Sequence, residues 1–197
     1  MRILGLTGPT GAGKGKVGTL LKERGAYIID TDQLARDIVQ PGSPCLAALA
    51  ARFGNEILLE DGSLDRAVLA EKAFASPTQK AALEAITHPA IIALTHTHLA
   101  ACDAALAVID APLLFESGMD TICDKTLAVL APQDLRLQRI MQRDGITADA
   151  ARRRMNAQHD DAFYRERADI TIINDTDEDT LCARLDGALS ILWEGLA

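Results

Sequence analysis

Gly8-Pro9-Thr10-Gly11-Ala12-Gly13-Lys14 is the stretch of this 197-residue chain whose residue types and spacing point most directly to chemistry. Gly8, Gly13 and Lys14 fit the pattern GxxxxGK. Glycines so placed let successive backbone N–H groups turn inward as a nest for anions. A helix that follows adds the partial positive charge of its first turn, and the lysine ammonium reaches the outer phosphates. The chemistry is that of holding a polyphosphate, with Gly8, Gly11, Ala12, Gly13, Lys14, Gly15 and Lys16 as candidate contacts. The pattern usually continues with Ser or Thr, whose hydroxyl ligates Mg²⁺. Here Gly15 and Lys16 follow, so Mg²⁺ needs other ligands, and Lys16 either adds a phosphate-facing charge or faces solvent.

Three further groups could act on a bound polyphosphate. Asp30-Thr31-Asp32 follows an apolar run; a carboxylate there could orient an attacking hydroxyl, accept its proton or hold Mg²⁺ through water, or it could simply cap a helix. Asp110 closes the run Leu106–Asp110 in the manner of an acid that holds magnesium. Between Arg136 and Arg167 stand eight arginines, no lysine and five acids, a local balance of +3 in a chain whose net charge is −8. Such a cluster is either a solvated helix face laced with ion pairs or a set of guanidinium forks for a polyanion. His96 and His98, two apart, would face away from each other on a helix and make a poor metal pair.

These groups need a scaffold, and the apolar runs supply one. Arg2–Thr7, Ala26–Asp30, Leu106–Asp110, Thr126–Leu130 and Ile170–Ile173 are apolar nearly throughout, as strands of a parallel sheet covered on both faces should be. Helical patterns separate them, so the expected architecture is a doubly wound α/β sheet. A helix is predicted from Lys14 to Arg24, ended by Gly25. Some seventy residues between Thr31 and Asp103 hold no convincing core strand, only helix signals such as Ser76-Pro77 and the turn Asp61-Gly62. Thr87-His88-Pro89 is predicted to break that stretch into two helices, because a proline pushes the preceding residue out of the α region.

Composition narrows the partners. With 28 acids against 20 bases and 4% aromatics, the chain suits neither coating nucleic acid nor stacking single-stranded bases. No run reaches the ~18–20 apolar residues of a membrane helix, and the first residues read as a strand rather than a leader, so a cytoplasmic location is expected. The cysteines at 45, 102, 123 and 182 share no spacing and are expected as reduced thiols. No obligate protein partner is evident.

Asp110 runs on into Pro112-Leu113-Leu114-Phe115-Glu116, and here the chain resembles the dephospho-coenzyme A kinases. The likeness extends through the glycine loop, Asp30-Thr31-Asp32, Pro41-Gly42 with Pro44, Asp61-Gly62, His88-Pro89, Arg139 with Arg143-Asp144, and Ala168-Asp169 to Asn174. It implies a three-layer P-loop kinase fold with a five-stranded parallel sheet, a helical substrate-binding insertion and a helical lid. The core would be residues 1–38, 103–135 and 165–197, the substrate domain 39–102 and the lid 136–164. It implies transfer of the ATP γ-phosphate, with Mg²⁺, to the ribose 3′-hydroxyl of dephospho-CoA. Asp32 then resembles the catalytic acid that takes the hydroxyl proton, and Lys14, Arg139 and Arg143 the cations on the phosphates. Asn174 lies where the family contacts adenine, although Asp175-Thr176 follow where a small residue and glycine are usual. His88, Pro112 and Leu113 fall at substrate positions, and Asp32 and Asp110 are the candidate Mg²⁺ ligands, through water. Two other readings stay open: a kinase of the same fold with another small substrate, or a degraded kinase that binds nucleotide as a regulator.

Overall fold

The computed structural model describes residues 1–193; the last four positions of the expected core segment lie outside them. Strands β1 (Arg2–Thr7), β2 (Tyr27–Asp30), β3 (Leu106–Asp110), β4 (Lys125–Leu130) and β5 (Ile170–Ile173) form a parallel sheet in the order β2-β3-β1-β4-β5. The strand ends differ from those expected by at most one residue. Around the sheet run helices α1 (Lys14–Glu23), α2 (Thr31–Asp37), α3 (Pro44–Phe53), α4 (Arg66–Ala73), α5 (Pro77–Ala100), α6 (Gln133–Asp144), α7 (Ala148–Asn156), α8 (Asp161–Arg167) and α9 (Glu178–Trp193).

β4 shows why these strands are apolar at every position. Leu127 and Val129 join α1 and α9 side chains such as Leu20, Leu21 and Leu185 in one cluster. Ala128 and Leu130 point the other way and pack with Tyr164 of α8. All four strand residues are sealed from solvent, and each large one contributes about 1.5–3 kcal/mol by burial. The central strand β1 pairs with β3 and β4 on its two sides, with Leu6 opposite Asp110 and Thr7 opposite Ala128. The glycine loop and Asp110 are thereby brought to the same end of the sheet.

The chain divides into two compact units, Met1–Ile29 with the residues from Cys102 onward, and Asp30–Ala101. The second is helical and has its own apolar cluster, including Ile38, Leu49, Phe53, Ile57 and Leu69, with Leu83, Ile86, Ile91 and Leu94 of α5 against it. Its helices begin on good caps: the side chains of Asp30, Ser43, Asp65 and Ser76 each accept a backbone N–H at the start of α2, α3, α4 and α5. A small turn at Asp61-Gly62 is closed by the Leu58–Leu64 bridge, and Asp61 accepts from the N–H and hydroxyl of Ser63.

The expected break at Pro89 does not occur. α5 runs unbroken through it for 24 residues. A proline inside a helix removes one ladder bond and costs about 3 kcal/mol. Packing against α2, α3 and α4 along the length of α5 outweighs that local preference. Beside the interruption, the Thr87 hydroxyl donates to the Leu83 carbonyl at 2.9 Å.

Candidate active site

The loop between β1 and α1 is built around positive φ. Gly11 and Gly13 stand at +78° and +93°. A Cβ at Gly11 would meet the Arg136 carbonyl of α6 at 2.7 Å, and one at Gly13 would overlap the Asn174 amide. Glycine is required twice over at both positions, for conformation and for space. α1 begins on Gly13 with no side-chain cap, unlike α2, α3, α4 and α5, and it carries no acid in its first turn. A helix start left uncapped keeps its N–H groups for an external anion.

The carbonyls of the loop are held from outside. Arg136, almost fully buried on α6, donates Nε to the Thr10 carbonyl at 2.9 Å and Nη1 to Asp161 at 3.3 Å. Burial lowers its pKa from the usual arginine value, and Asp161 opposes that shift. Arg139, one turn on, donates Nη1 to the carbonyls of Gly11 and Ala12, each at 3.3 Å, and of Asn174 at 3.1 Å. Asn174, buried just past β5, donates its amide to Ala12 at 2.8 Å, and its Oδ1 accepts from Arg139 Nη2 at 3.4 Å. The Thr10 N–H goes to Gln158 Oε1 at 2.8 Å.

The cations expected on phosphates stand on counter-charges. Lys14 Nζ is bonded to Asp110 Oδ1, with both side chains largely shielded from solvent. Arg143 grips Asp144 with two nitrogens, at 2.8 and 2.9 Å, and Arg154 pairs with the same carboxylate. Asp144 accordingly lies below the usual carboxylate pKa, Arg143 being the first cause. Lys16 pairs with Glu178 of α9 at 2.7 Å, and that hydrogen bond raises its pKa. Gly13, Lys16, Arg139, Asn174, Thr176, Glu178 and Leu181 are among the lining of an open cleft of about 260 Å³. The Asn174 side chain borders this cleft while being committed to the loop and to Arg139.

The Pro112–Glu116 turn is fixed at its ends. The Pro112 carbonyl accepts from the Thr7 hydroxyl at 3.5 Å and Leu114 is fully buried, which leaves Leu113 48% exposed. In the helical unit, the two acids of Asp30-Thr31-Asp32 separate into different roles. Asp30 Oδ1 accepts from the N–H groups of Asp32 and Gln33 at 2.9 and 3.2 Å and is the cap of α2. Asp32 is exposed on the first turn, and its carboxylate makes no hydrogen bond or ion pair among the described residues. His88, half-buried in the middle of α5, likewise has no such partner. Arg136 was visible in sequence only as one arginine among eight, and Gln158 carried no signal, its partner lying 148 positions away.

A glycine loop between β1 and α1, whose lysine opens α1 and pairs with the aspartate ending the adjacent parallel strand β3, belongs to phosphoryl-transfer enzymes as a class. Comparison with known proteins identifies which. A profile of the family described as dephospho-CoA kinase matches residues 2–179. The chain belongs to the dephospho-CoA kinase family. A dephospho-CoA kinase of Syntrophotalea carbinolica is 48% identical over 177 residues, covering 88% of this chain and 84% of that protein. The crystal structure of TT1252 from Thermus thermophilus superposes with a TM-score of 0.86 at 32% identity, covering 98% of each chain. A dephospho-CoA kinase from Campylobacter jejuni gives a TM-score of 0.71 at 26% identity over the full length of both. Members of the dephospho-CoA kinase family are transferases that phosphorylate dephospho-CoA to coenzyme A with ATP. Among the described residues no helix is long and apolar enough to cross a membrane.

Proposed function

We propose that this chain carries out its family's reaction on the ribose 3′-hydroxyl of dephospho-CoA, with the glycine loop as the ATP phosphate site. The observation that carries this reading is the uncapped start of α1 beneath a loop whose carbonyls are drawn outward by Arg136, Arg139 and Asn174. Gly8, Gly11 and Gly13 to Gly15 offer backbone N–H groups to the phosphates, Ala12 lines the loop between them, and Lys14 exchanges Asp110 for the outer phosphates. Arg139 and Arg143 exchange their present acceptors for phosphate oxygens as residues 136–164 close as a lid, excluding water and stabilising the charge on the group in transfer. The cleft beside Asn174 and Lys16 takes the adenine. Asp32 orients the 3′-hydroxyl and accepts its proton. Residues 39–102, with His88, serve the dephospho-CoA, and Pro112 and Leu113 contact it as well.

Mg²⁺ fits this donor set. Among the described residues no cluster of three or more His, Cys, Asp or Glu side chains forms a ready cage. Mg²⁺ needs none, because it is held by one or two carboxylates, water and substrate phosphates. Asp110, already bonded to an ammonium, is a carboxylate sited to meet positive charge. The ion, when bound, would offset negative charge on the phosphates.

The test is coupled ADP release with ATP and Mg²⁺, with and without dephospho-CoA. Release that depends on dephospho-CoA and falls at least ~10²-fold in Lys14→Ala is the expected result. Nucleotide binding without any ADP release would overturn the assignment in favour of a relative that binds but does not turn over.

A further inference from the structure

Thr10, at the crest of the loop, has both of its backbone polar groups taken by side chains from one distant stretch of chain. Its carbonyl accepts from Arg136 Nε at 2.9 Å, and its N–H donates to Gln158 Oε1 at 2.8 Å. Gln158 stands in the connection between α7 and α8, its own N–H bonded to the Met155 carbonyl at 3.2 Å. Arg136 reaches from the same crest to Asp161 on the first turn of α8. Two side chains therefore tie the crest to α6, to the α7–α8 connection and to α8.

The consequence follows from peptide geometry. In a planar trans peptide the carbonyl of one residue and the N–H of the next point in opposite directions. Drawing the Thr10 carbonyl outward to Arg136 turns the Gly11 N–H inward, and drawing the Ala12 carbonyl outward to Arg139 and Asn174 does the same for Gly13. Holding the Thr10 N–H outward on Gln158 turns the Pro9 carbonyl the other way. There it accepts the Ala12 N–H at 3.1 Å and closes the turn. With Gln158 absent, that peptide is held only on its carbonyl side, by the Ala12 N–H, and the turn that presents Gly11 loosens.

We propose that Gln158, acting through Thr10 and alongside Arg136, is a positioning residue for ATP: it sets the peptide orientation of the phosphate loop and makes that orientation depend on docking of the α7–α8 connection. The inference rests on the loop being the ATP site. Gln158 touches no phosphate in this scheme. Its effect is on how well the loop is formed before ATP arrives, so it acts on ATP affinity and leaves the handling of dephospho-CoA alone. Linkage is reciprocal: ATP on the loop must also favour docking of Gln158.

Gln158→Met keeps the length and volume of the side chain and removes the strong acceptor, while Gln158→Glu keeps an acceptor for the Thr10 N–H. Measured by calorimetry without Mg²⁺ or dephospho-CoA, ATP should bind about 5–10-fold more weakly to Gln158→Met, the loss of one backbone hydrogen bond. The Glu variant should lie closer to the wild type than the Met variant does. KM for dephospho-CoA should stay within about twofold in both, and the unfolding temperature should fall by no more than about 2–4 °C. In the wild-type chain without ATP, the Thr10 amide should be protected from hydrogen exchange, and in Gln158→Met it should exchange roughly tenfold faster. An unprotected Thr10 amide in the wild type, unchanged ATP affinity in the Met variant, or a Glu variant weaker than Met would each overturn the inference. Lys14→Ala separates this failure from that of the underlying assignment. If Lys14→Ala binds ATP normally the loop is not the ATP site, whereas if it loses ATP and Gln158→Met does not, only the role of Gln158 falls.

Discussion

The α/β unit and the helical unit treat their functional side chains in opposite ways. Around the glycine loop nearly every charged or polar group is already bonded: Lys14 to Asp110, Arg139 to three carbonyls, Asn174 to Ala12, Arg143 to Asp144. In the helical unit side chains cap the starts of α2, α3, α4 and α5, while the two residues singled out for substrate chemistry, Asp32 and His88, have no hydrogen bond or ion pair among the described residues. The two tasks ask for this difference. The backbone N–H groups that meet a polyphosphate are best fixed before it arrives, since ordering them afterwards weakens binding, and the cations that turn to it are held meanwhile on carboxylates and carbonyls. A proton acceptor has to be available, and a carboxylate that receives backbone N–H bonds is stabilised as the anion and is a weaker base. Within one tripeptide, Asp30 takes the capping bonds and leaves Asp32 without them.

The largest effect that could break this contrast is on Asp32. Asp32→Asn should lower kcat by about 10²–10⁴-fold, the usual contribution of a positioned general base, with the fold intact. Asp30→Asn should leave kcat within about twofold and stability within a few tenths of a kcal/mol, because asparagine caps a helix as well as aspartate. Steady-state kinetics on the pair decides the matter. Equal losses in the two variants would mean that the acids act together rather than dividing into cap and base.

How far the site was legible in sequence follows the same division. β1, α1 and the loop were readable because glycine spacing and a run of apolar residues are local signals, and the sheet confirms them nearly residue for residue. Asp30-Thr31-Asp32 was visible as a pair, but the choice of cap depends on where α2 starts, a matter of one residue that spacing does not resolve. The counter-charges of Lys14 and Lys16 were invisible because Asp110 and Glu178 come from distant segments. Pro89 was read by its local preference alone, and the long apolar contact of α5 prevailed. That last difference can be measured. The Pro89 ring is exposed, so Pro89→Ala should lose little packing while restoring a helical N–H. It should stabilise the protein by about 2 kcal/mol, the ~3 kcal/mol helix penalty less the ~0.4–1 kcal/mol that proline contributes by restricting the unfolded chain. A higher urea midpoint with an unchanged slope is the expected outcome. A lower one would show that the proline is needed where it stands, and that α5 is held by more than its apolar face.

The smallest effect concerns what holds the sheet that carries the loop. Asp169, immediately before β5, accepts from the N–H and the hydroxyl of Thr126 at 2.8 and 2.7 Å, with Lys125 Nζ at 3.3 Å, and so ties the starts of β4 and β5 together. Burial is the largest single influence on this carboxyl and pushes its pKa up, but the bonds from Thr126 and Lys125 together hold it below the usual aspartate value. A carboxylate depressed in the folded state adds stability above its unfolded pKa, about 3.9, and that stability is lost as the pH falls through the folded value. Its side chain is 39% exposed, so solvent screening keeps the contribution small, about 1 kcal/mol or less. Asp169→Asn should therefore be less stable than the wild type at pH 7, and the gap should close as the pH is taken below ~4. Urea unfolding at the two pH values reads this directly. A gap of the same size at both would mean that the Thr126 contacts work by shape and not by charge. The polar bonds of the α/β unit would then resemble the serine caps of the helical unit, Ser43 and Ser76, more closely than the contrast between the two units allows.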